Sequence, residues 1–242
     1  MGLTNPAMAR FSRLHVLNRL HEEALVPLFH HSETELACRV VAAVAAGGAT
    51  VFEFTNRGDH AIAVFEALAR HCQQHLPNVI LGAGSIGDDA TAALFAAHGA
   101  NFIVGPSFNE RVARFCNRRK IAYLPGCQTA TEIAAAEELG VEIVKLFPAE
   151  AAGGPGFVRQ ILGPSPWTRL LPTGLSDVSR GGLKAWFDAG VCGVGIGREL
   201  IKHDSVRTRD YEAITHRTAE ILQWVREARG PGAVNQPAVV GL

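Results

Sequence analysis

The sequence predicts an α/β fold, a (β/α)8 TIM barrel preceded by an N-terminal leader helix. Three features carry that expectation: eight short apolar runs, stretches of helical period between them, and glycines at the junctions where each helix gives way to the next strand. Alternation of this kind builds a parallel sheet, because each crossover helix returns the chain to the end of the sheet at which the previous strand began. Periodicity leaves a doubly wound open sheet as the alternative; eight repeats in 242 residues favour the barrel.

Residues 1–24 read as an amphipathic leader. Strands are expected at 25–30, 50–55, 79–84, 102–106, 121–126, 141–147, 169–174 and 191–197. Between them, Ser32 with Glu35 and Thr129 with Glu132 have the spacing of a capping box at a helix start. Gly47, Gly99, Gly140 and Gly190 punctuate helix ends. The last helix, YEAITHRTAEILQWVREAR, sets Tyr211, Ile214, Ile221, Leu222 and Val225 along one stripe that should close the barrel. The barrel domain is expected over 25–230, with 231–242 a loosely held tail of Gly and Pro breakers.

Composition narrows the function. Formal net charge is zero with both signs interspersed, which gives neither a nucleic-acid footprint nor a polybasic membrane anchor. Cys38, Cys72, Cys116, Cys127 and Cys192 form no C-x-x-C pair, and their odd number leaves no closed disulfide framework. The opening residues lack a secretory apolar core, and no apolar run reaches the length of a membrane span. The expectation is a cytoplasmic protein acting on a small molecule.

Lys145 stands inside the apolar run VEIVKLF. A buried ammonium pays desolvation, so such a lysine is either paired or has its pKa lowered towards a neutral amine. A period of two places Ile143, Lys145 and Phe147 on one face of that strand, and Val51, Glu53 and Thr55 on one face of VFEFT, with Phe52 and Phe54 turned to the helices. Glu53 and Lys145 can therefore share the barrel interior near the C-terminal strand ends, where barrels carry their chemistry. Arg57 follows strand two, Ser85 caps strand three in GAGS, and Pro106 ends strand four. Singly, each has a plain reading: Lys145 and Glu53 a structural ion pair, Arg57 a surface arginine, Ser85 a turn residue, Phe147 core packing. Together, an amine that can attack a ketone, a carboxylate that can move a proton and a guanidinium that can hold an α-carboxylate describe a 2-keto acid lyase.

The ordered stretches GGATVFEFTNRG, LGAGS, FIVGP, PGCQTATE and VKLFPAE resemble the KDPG/KHG aldolase family, the 2-keto-3-deoxy-6-phosphogluconate and 4-hydroxy-2-oxoglutarate aldolases, over roughly residues 25–202. The resemblance implies a metal-independent, cofactor-free class I aldolase on a (β/α)8 barrel, assembled as a homotrimer. Lys145 matches the Schiff-base lysine of K-x-F-P-A, and Glu53 the proton-shuttling carboxylate of E-x-T-x-R. Thr55 and Arg57 complete that second motif, Arg57 holding the pyruvyl carboxylate. Ser85 stands where many members have threonine; Pro106 and Phe147 match residues that wall the imine. Products would be pyruvate and an aldehyde, glyceraldehyde 3-phosphate or glyoxylate.

The phosphate end is where the pattern changes. Barrels of this kind bind phosphate between the loops after strands seven and eight, here LPTGLSD and GVGIGREL, and Thr173, Gly174, Gly195 and Gly197 keep the small character that lets amides approach an anion. Leu175 replaces a common second glycine and Arg198 a common serine. Arg198 reads equally as a clamp for a distal phosphate or carboxylate and as a solvated surface arginine, so phosphorylation of the substrate stays open. Three further signals carry less: His30, His31 and His60 offer no carboxylate at ligand-like spacing for a metal, Cys127 has no activating histidine, and GVGIG lacks a dinucleotide fingerprint's spacing. Two rivals remain, a sugar-phosphate isomerase or epimerase that would not require Lys145, and a non-catalytic keto-acid-binding relative.

Overall fold

The computed structural model describes residues 9–230. All strand pairings are parallel. Strands β1 (Leu25–Phe29), β2 (Val51–Thr55), β3 (Ile80–Gly84), β4 (Phe102–Val104), β5 (Ala122–Leu124) and β9 (Val194–Ile196) form one curled sheet in the order β5-β4-β3-β2-β1-β9. Strands β6 (Gly126–Cys127), β7 (Val144–Leu146) and β8 (Leu170–Pro172) form a second, in chain order. An isolated parallel bridge between Thr173 and Gly195 joins β8 to β9, and Gly126 N–H donates to the Gly105 carbonyl at 3.0 Å beside β4.

The buried apolar residues fall into two groups that follow strand parity. Val26, Val51, Ile80, Phe102, Ile143 and Leu171 belong to an inner group within the curl, while Phe52, Phe54, Val144 and Leu146 pack outward against helices. Helix α1 (Arg13–Glu23) contributes Val16 and Leu20 to the inner group. Its start is capped by Ser12, whose hydroxyl accepts from His15 N–H at 3.2 Å. Arg13 ties it down with bonds to Asn117 Oδ1, the Gly140 carbonyl and Glu142. Helix α10 (Tyr211–Arg229) buries Ile214, Thr218, Ile221, Leu222 and Val225, with Tyr211 partly buried, and packs between α2 (Thr34–Ala46) and α8 (Arg180–Asp188). Contact with α2 is close enough that a Cβ on Gly47 would lie 2.6 Å from the Thr215 carbonyl oxygen.

Each expected strand contains an observed one, and in all eight the observed strand is shorter. The run expected at 121–126 is split into β5 and β6 at Pro125, which has no N–H for the ladder; its carbonyl still accepts from Lys145 N–H at 2.9 Å. The capping box forms at Thr129, where helix α6 (Ala130–Glu138) begins. It does not form at Ser32: α2 begins at Thr34 with Glu33 as a cap whose side chain makes no capping bond, and Glu33 N–H donates instead to His31 Nδ1 at 3.0 Å. Gly47 caps α2 with ordinary right-handed backbone, the left-handed turn falling on Gly48. The expected tail and the first eight residues of the expected leader lie outside the described residues.

Candidate active site

Strand parity delivers the central pair. Glu53 lies on β2 and Lys145 on β7, both turned inward and both buried among apolar strands. Lys145 Nζ sits 3.8 Å from Glu53 Oε1 and 5.2 Å from the centroid of the Phe147 ring. That is an ion pair without a hydrogen bond. Glu53 Oε1 has no hydrogen-bond partner although it is buried. A carboxylate oxygen kept from water and left unbonded is costly to hold, which points to a task for it that a bound molecule completes.

Room for that carboxylate comes from β3. Gly84 pairs with Thr55 across the β2–β3 ladder, and a Cβ there would collide with the Glu53 carboxylate. Thr55, also buried, donates weakly from Oγ1 to the Phe29 carbonyl at 3.4 Å. Thr173 Oγ1 is a second buried oxygen without a partner, and Gly195 leaves the space it occupies.

These residues open into a cavity of about 1170 Å³. Glu53, Thr55, Lys145 and Thr173 are its buried floor, with Phe147 and Gly195 beside them. Arg57, Ser85, Pro106, Gly174, Gly197 and Arg198 line it nearer the mouth, so all the expected site residues face one space. Arg57 and Arg198 are exposed and make no hydrogen bond or ion pair among the described residues. Leu175 lines the cavity too, half-buried against the outer core.

Sequence reasoning missed part of this wall. His30 and His31 both line the cavity, because β1 ends at Phe29 and strand alternation no longer separates them. The rule that selected Arg57, a polar residue just past a strand end, would have found His31; His30 lies inside the strand expected at 25–30, which in the structure ends at Phe29. His31 stacks on Phe29 at 6.0 Å between centroids. The His30 imidazole is held below its ordinary pKa, first by burial and then by the charge of Arg57 and His31. Glu33, His203, Arg207 and Arg209 come from the segments around α2 and α9 (His203–Arg207); no local signal marks them. Arg209 is paired with Glu33 at 3.0 Å and Arg207 with Asp204 at 3.3 Å.

Among the described residues no three His, Cys, Asp or Glu converge as a metal-ligating set. His60 is the left-handed cap of helix α3 (Ala61–His75). Cys127 is buried, and burial pushes its thiol up to about 12, which removes the thiolate a nucleophile needs. No described helix is long and apolar enough to cross a membrane.

The family model "KDPG and KHG aldolase" matches residues 16–217. The chain is 30% identical to a 2-dehydro-3-deoxy-phosphogluconate aldolase of Treponema pallidum over 213 residues, covering 87% of this chain and 97% of that protein. Identity to the Pseudomonas aeruginosa protein of the same name is 37% over 132 residues, 54% of this chain and 58% of that relative. A crystal structure of KDPG aldolase from Legionella pneumophila, with pyruvate captured as a covalent carbinolamine intermediate, superposes with a TM-score of 0.76 at 25% identity, covering 84% of this chain and 97% of that one.

Proposed function

This chain belongs to the KDPG/KHG aldolase family, and from that premise we propose that it is a class I aldolase whose Lys145 cleaves a 2-keto-3-deoxy or 4-hydroxy-2-keto acid through a Schiff base. One observation carries the assignment of the amine: Lys145 Nζ is buried 3.8 Å from a carboxylate whose Oε1 has no other partner.

In this reading the unprotonated Lys145 amine attacks the C2 carbonyl, and loss of water from the carbinolamine gives an iminium. Arg57, exposed at the mouth and free of ion pairs among the described residues, holds the α-carboxylate in a bidentate contact. Glu53, directly or through a water, takes the C4 hydroxyl proton. The C3–C4 bond then breaks, its electron pair passes into the iminium to give an enamine, and the aldehyde leaves. Return of a proton to C3 and hydrolysis release pyruvate and regenerate the amine. Thr55 and Thr173 border the floor, Ser85 and Pro106 the mouth, and the Phe147 ring walls the imine. Gly174, Gly195 and Gly197 leave space for the far half of the substrate.

The finer architecture follows the same reading. The bridge at Thr173 and the Gly105–Gly126 bond support closure of the two sheets into one (β/α)8 barrel over residues 25–230, with α1 as a leader helix across its N-terminal end and α10 sealing the helical ring. A homotrimer in the cytoplasm, taking a small keto acid and no cofactor, completes the proposal; sedimentation equilibrium reads the assembly. The chemistry is tested by borohydride trapping with pyruvate. Wild-type protein should gain one reduced pyruvyl group at Lys145 and Lys145→Ala none, whereas a stable adduct on the alanine variant would sink the assignment.

A further inference from the structure

The loop between β1 and α2 fixes one imidazole of the cavity wall by two contacts. His31 lines the cavity and is half-buried. Its ring stacks on Phe29 with the two planes 9° apart, and its Nδ1 accepts the Glu33 backbone N–H at 3.0 Å. The same bond, from a side chain to the N–H two residues on, is made by Asn109 at the start of α5 (Glu110–Arg119) and by Asp177 ahead of α8. Asparagine and aspartate close local turns in this way. At position 31 an imidazole does that work, and it brings a second nitrogen that the turn does not use.

A ring nitrogen that accepts a hydrogen bond carries no hydrogen of its own, so an accepting Nδ1 leaves the ring hydrogen on Nε2. The backbone therefore selects the tautomer. Nε2–H has no partner among the described residues. The carboxylate two residues on, that of Glu33, is held by Arg209 at 3.0 Å. The neighbouring His30 differs: it is exposed, and no hydrogen bond among the described residues fixes its ring. His31 thus offers the cavity an oriented donor without a charge, which suits the oxygen of a hydroxyl where a guanidinium would favour an anion.

The β1–β2 register says which hydroxyl. Leu28 is level with Glu53 and Phe29 with Phe54, so the chain beyond Phe29 continues towards the mouth past the Glu53 carboxylate, beside the strand that carries it. With C2 of the substrate at Lys145 and the C4 hydroxyl at Glu53, the next oxygen towards that wall is the one on C5. We infer that His31 is a specificity-determining residue whose Nε2–H donates to the C5 hydroxyl of the bound keto acid, the hydroxyl on the carbon next to the carbonyl of the departing aldehyde. Its substrate class is then a 2-keto-3-deoxy sugar acid, in preference to 4-hydroxy-2-oxoglutarate, whose C5 is a carboxylate. The inference rests on the aldolase reading for the placement of C2 and C4.

Glyceraldehyde and 3-hydroxypropanal differ only in that hydroxyl, and neither is charged. Their addition to pyruvate is measured in the synthetic direction as kcat/KM for the aldehyde. His31→Asn keeps an acceptor for the Glu33 N–H and removes the Nε2–H, so it should melt as wild type does. Its kcat/KM with glyceraldehyde should fall roughly 3- to 10-fold, the usual worth of one neutral hydrogen bond, while 3-hydroxypropanal should add as before. The readout is the change in their ratio between the two proteins, in which the intrinsic reactivities of the aldehydes cancel. An unmoved ratio, or an equal loss with both aldehydes, overturns the inference. NMR of isotope-labelled histidine nitrogens reads the contact without turnover, in Glu53→Gln, which keeps the lysine that forms the imine. His31 should carry its hydrogen on Nε2, and 2-keto-3-deoxygluconate should shift that resonance; a hydrogen on Nδ1, or no shift, also overturns it. A wild type that fails to trap pyruvate with borohydride would strike the aldolase reading and this inference with it, whereas trapped pyruvate with an unmoved ratio strikes the inference alone.

Discussion

Gly84 tests how closely the proton-transfer geometry is built. It faces Thr55 across the β2–β3 ladder, and a Cβ at this position would lie 2.6 Å from Cδ and 2.7 Å from Cγ of Glu53, closer still to Oε1. Non-bonded carbons settle at roughly 3.5–4.0 Å, so in Gly84→Ala the carboxylate must retreat by about 1 Å or the strands must part. Displacement of a reacting group by ~1 Å costs on the order of 100-fold in rate, and overfilling a packed interior costs about 1–3 kcal/mol of stability. Glu53→Gln sets the floor, since losing a placed general base costs on the order of 10²- to 10⁴-fold. The assay is continuous detection of pyruvate for kcat, borohydride trapping for imine formation and thermal unfolding for stability. Gly84→Ala should lose about 100-fold in kcat, still trap pyruvate on Lys145, and melt a few degrees lower. A variant within a few-fold of wild-type kcat would refute the claim that the carboxylate position is set by the missing Cβ.

Two further outcomes follow from the packing and the caps. Leu20 is 1% exposed in the inner core, so Leu20→Ala should cost about 2–5 kcal/mol in denaturant unfolding; a loss under about 1 kcal/mol would mean that α1 does not seal that end. Asp88 caps α4 (Asp89–Ala97), and its carboxyl is held below the ordinary range first by the Thr91 backbone N–H, then by the Thr91 hydroxyl. Because the folded pKa is the lowered one, this stabilisation is present above the unfolded value near 4 and is lost as pH falls through the folded one. Asp88→Ala should therefore cost ~1 kcal/mol at neutral pH, with the difference from wild type closing in acid; a constant difference between pH 7 and pH 2 would contradict it.

Much of the site was legible in the chain because its key residues sit on strands, where side-chain direction alternates regardless of what surrounds them. That period of two sends Glu53 and Lys145 to the same interior and Phe52, Phe54, Val144 and Leu146 to the helices, as the inner and outer cores record. Residues just past strand ends, Arg57, Ser85, Pro106 and Arg198, could be chosen by the same local rule. Strand lengths were less legible. The split at Pro125 and the shift of the α2 cap from Ser32 to Glu33 depend on which N–H groups find partners, and a linear sequence does not display those partners.

Composition, strand parity and motif order thus determined the α/β class, the family and which side chains could meet. Only the tertiary structure decided how they meet: the 3.8 Å gap between Nζ and Oε1, the unpartnered Glu53 oxygen held open by Gly84, and the arrival of α9 at the cavity wall. Direction along a strand is a local property of the backbone. Distances between strands far apart in the chain, and the pairing of charges across a shared space, are set by the packing of the whole.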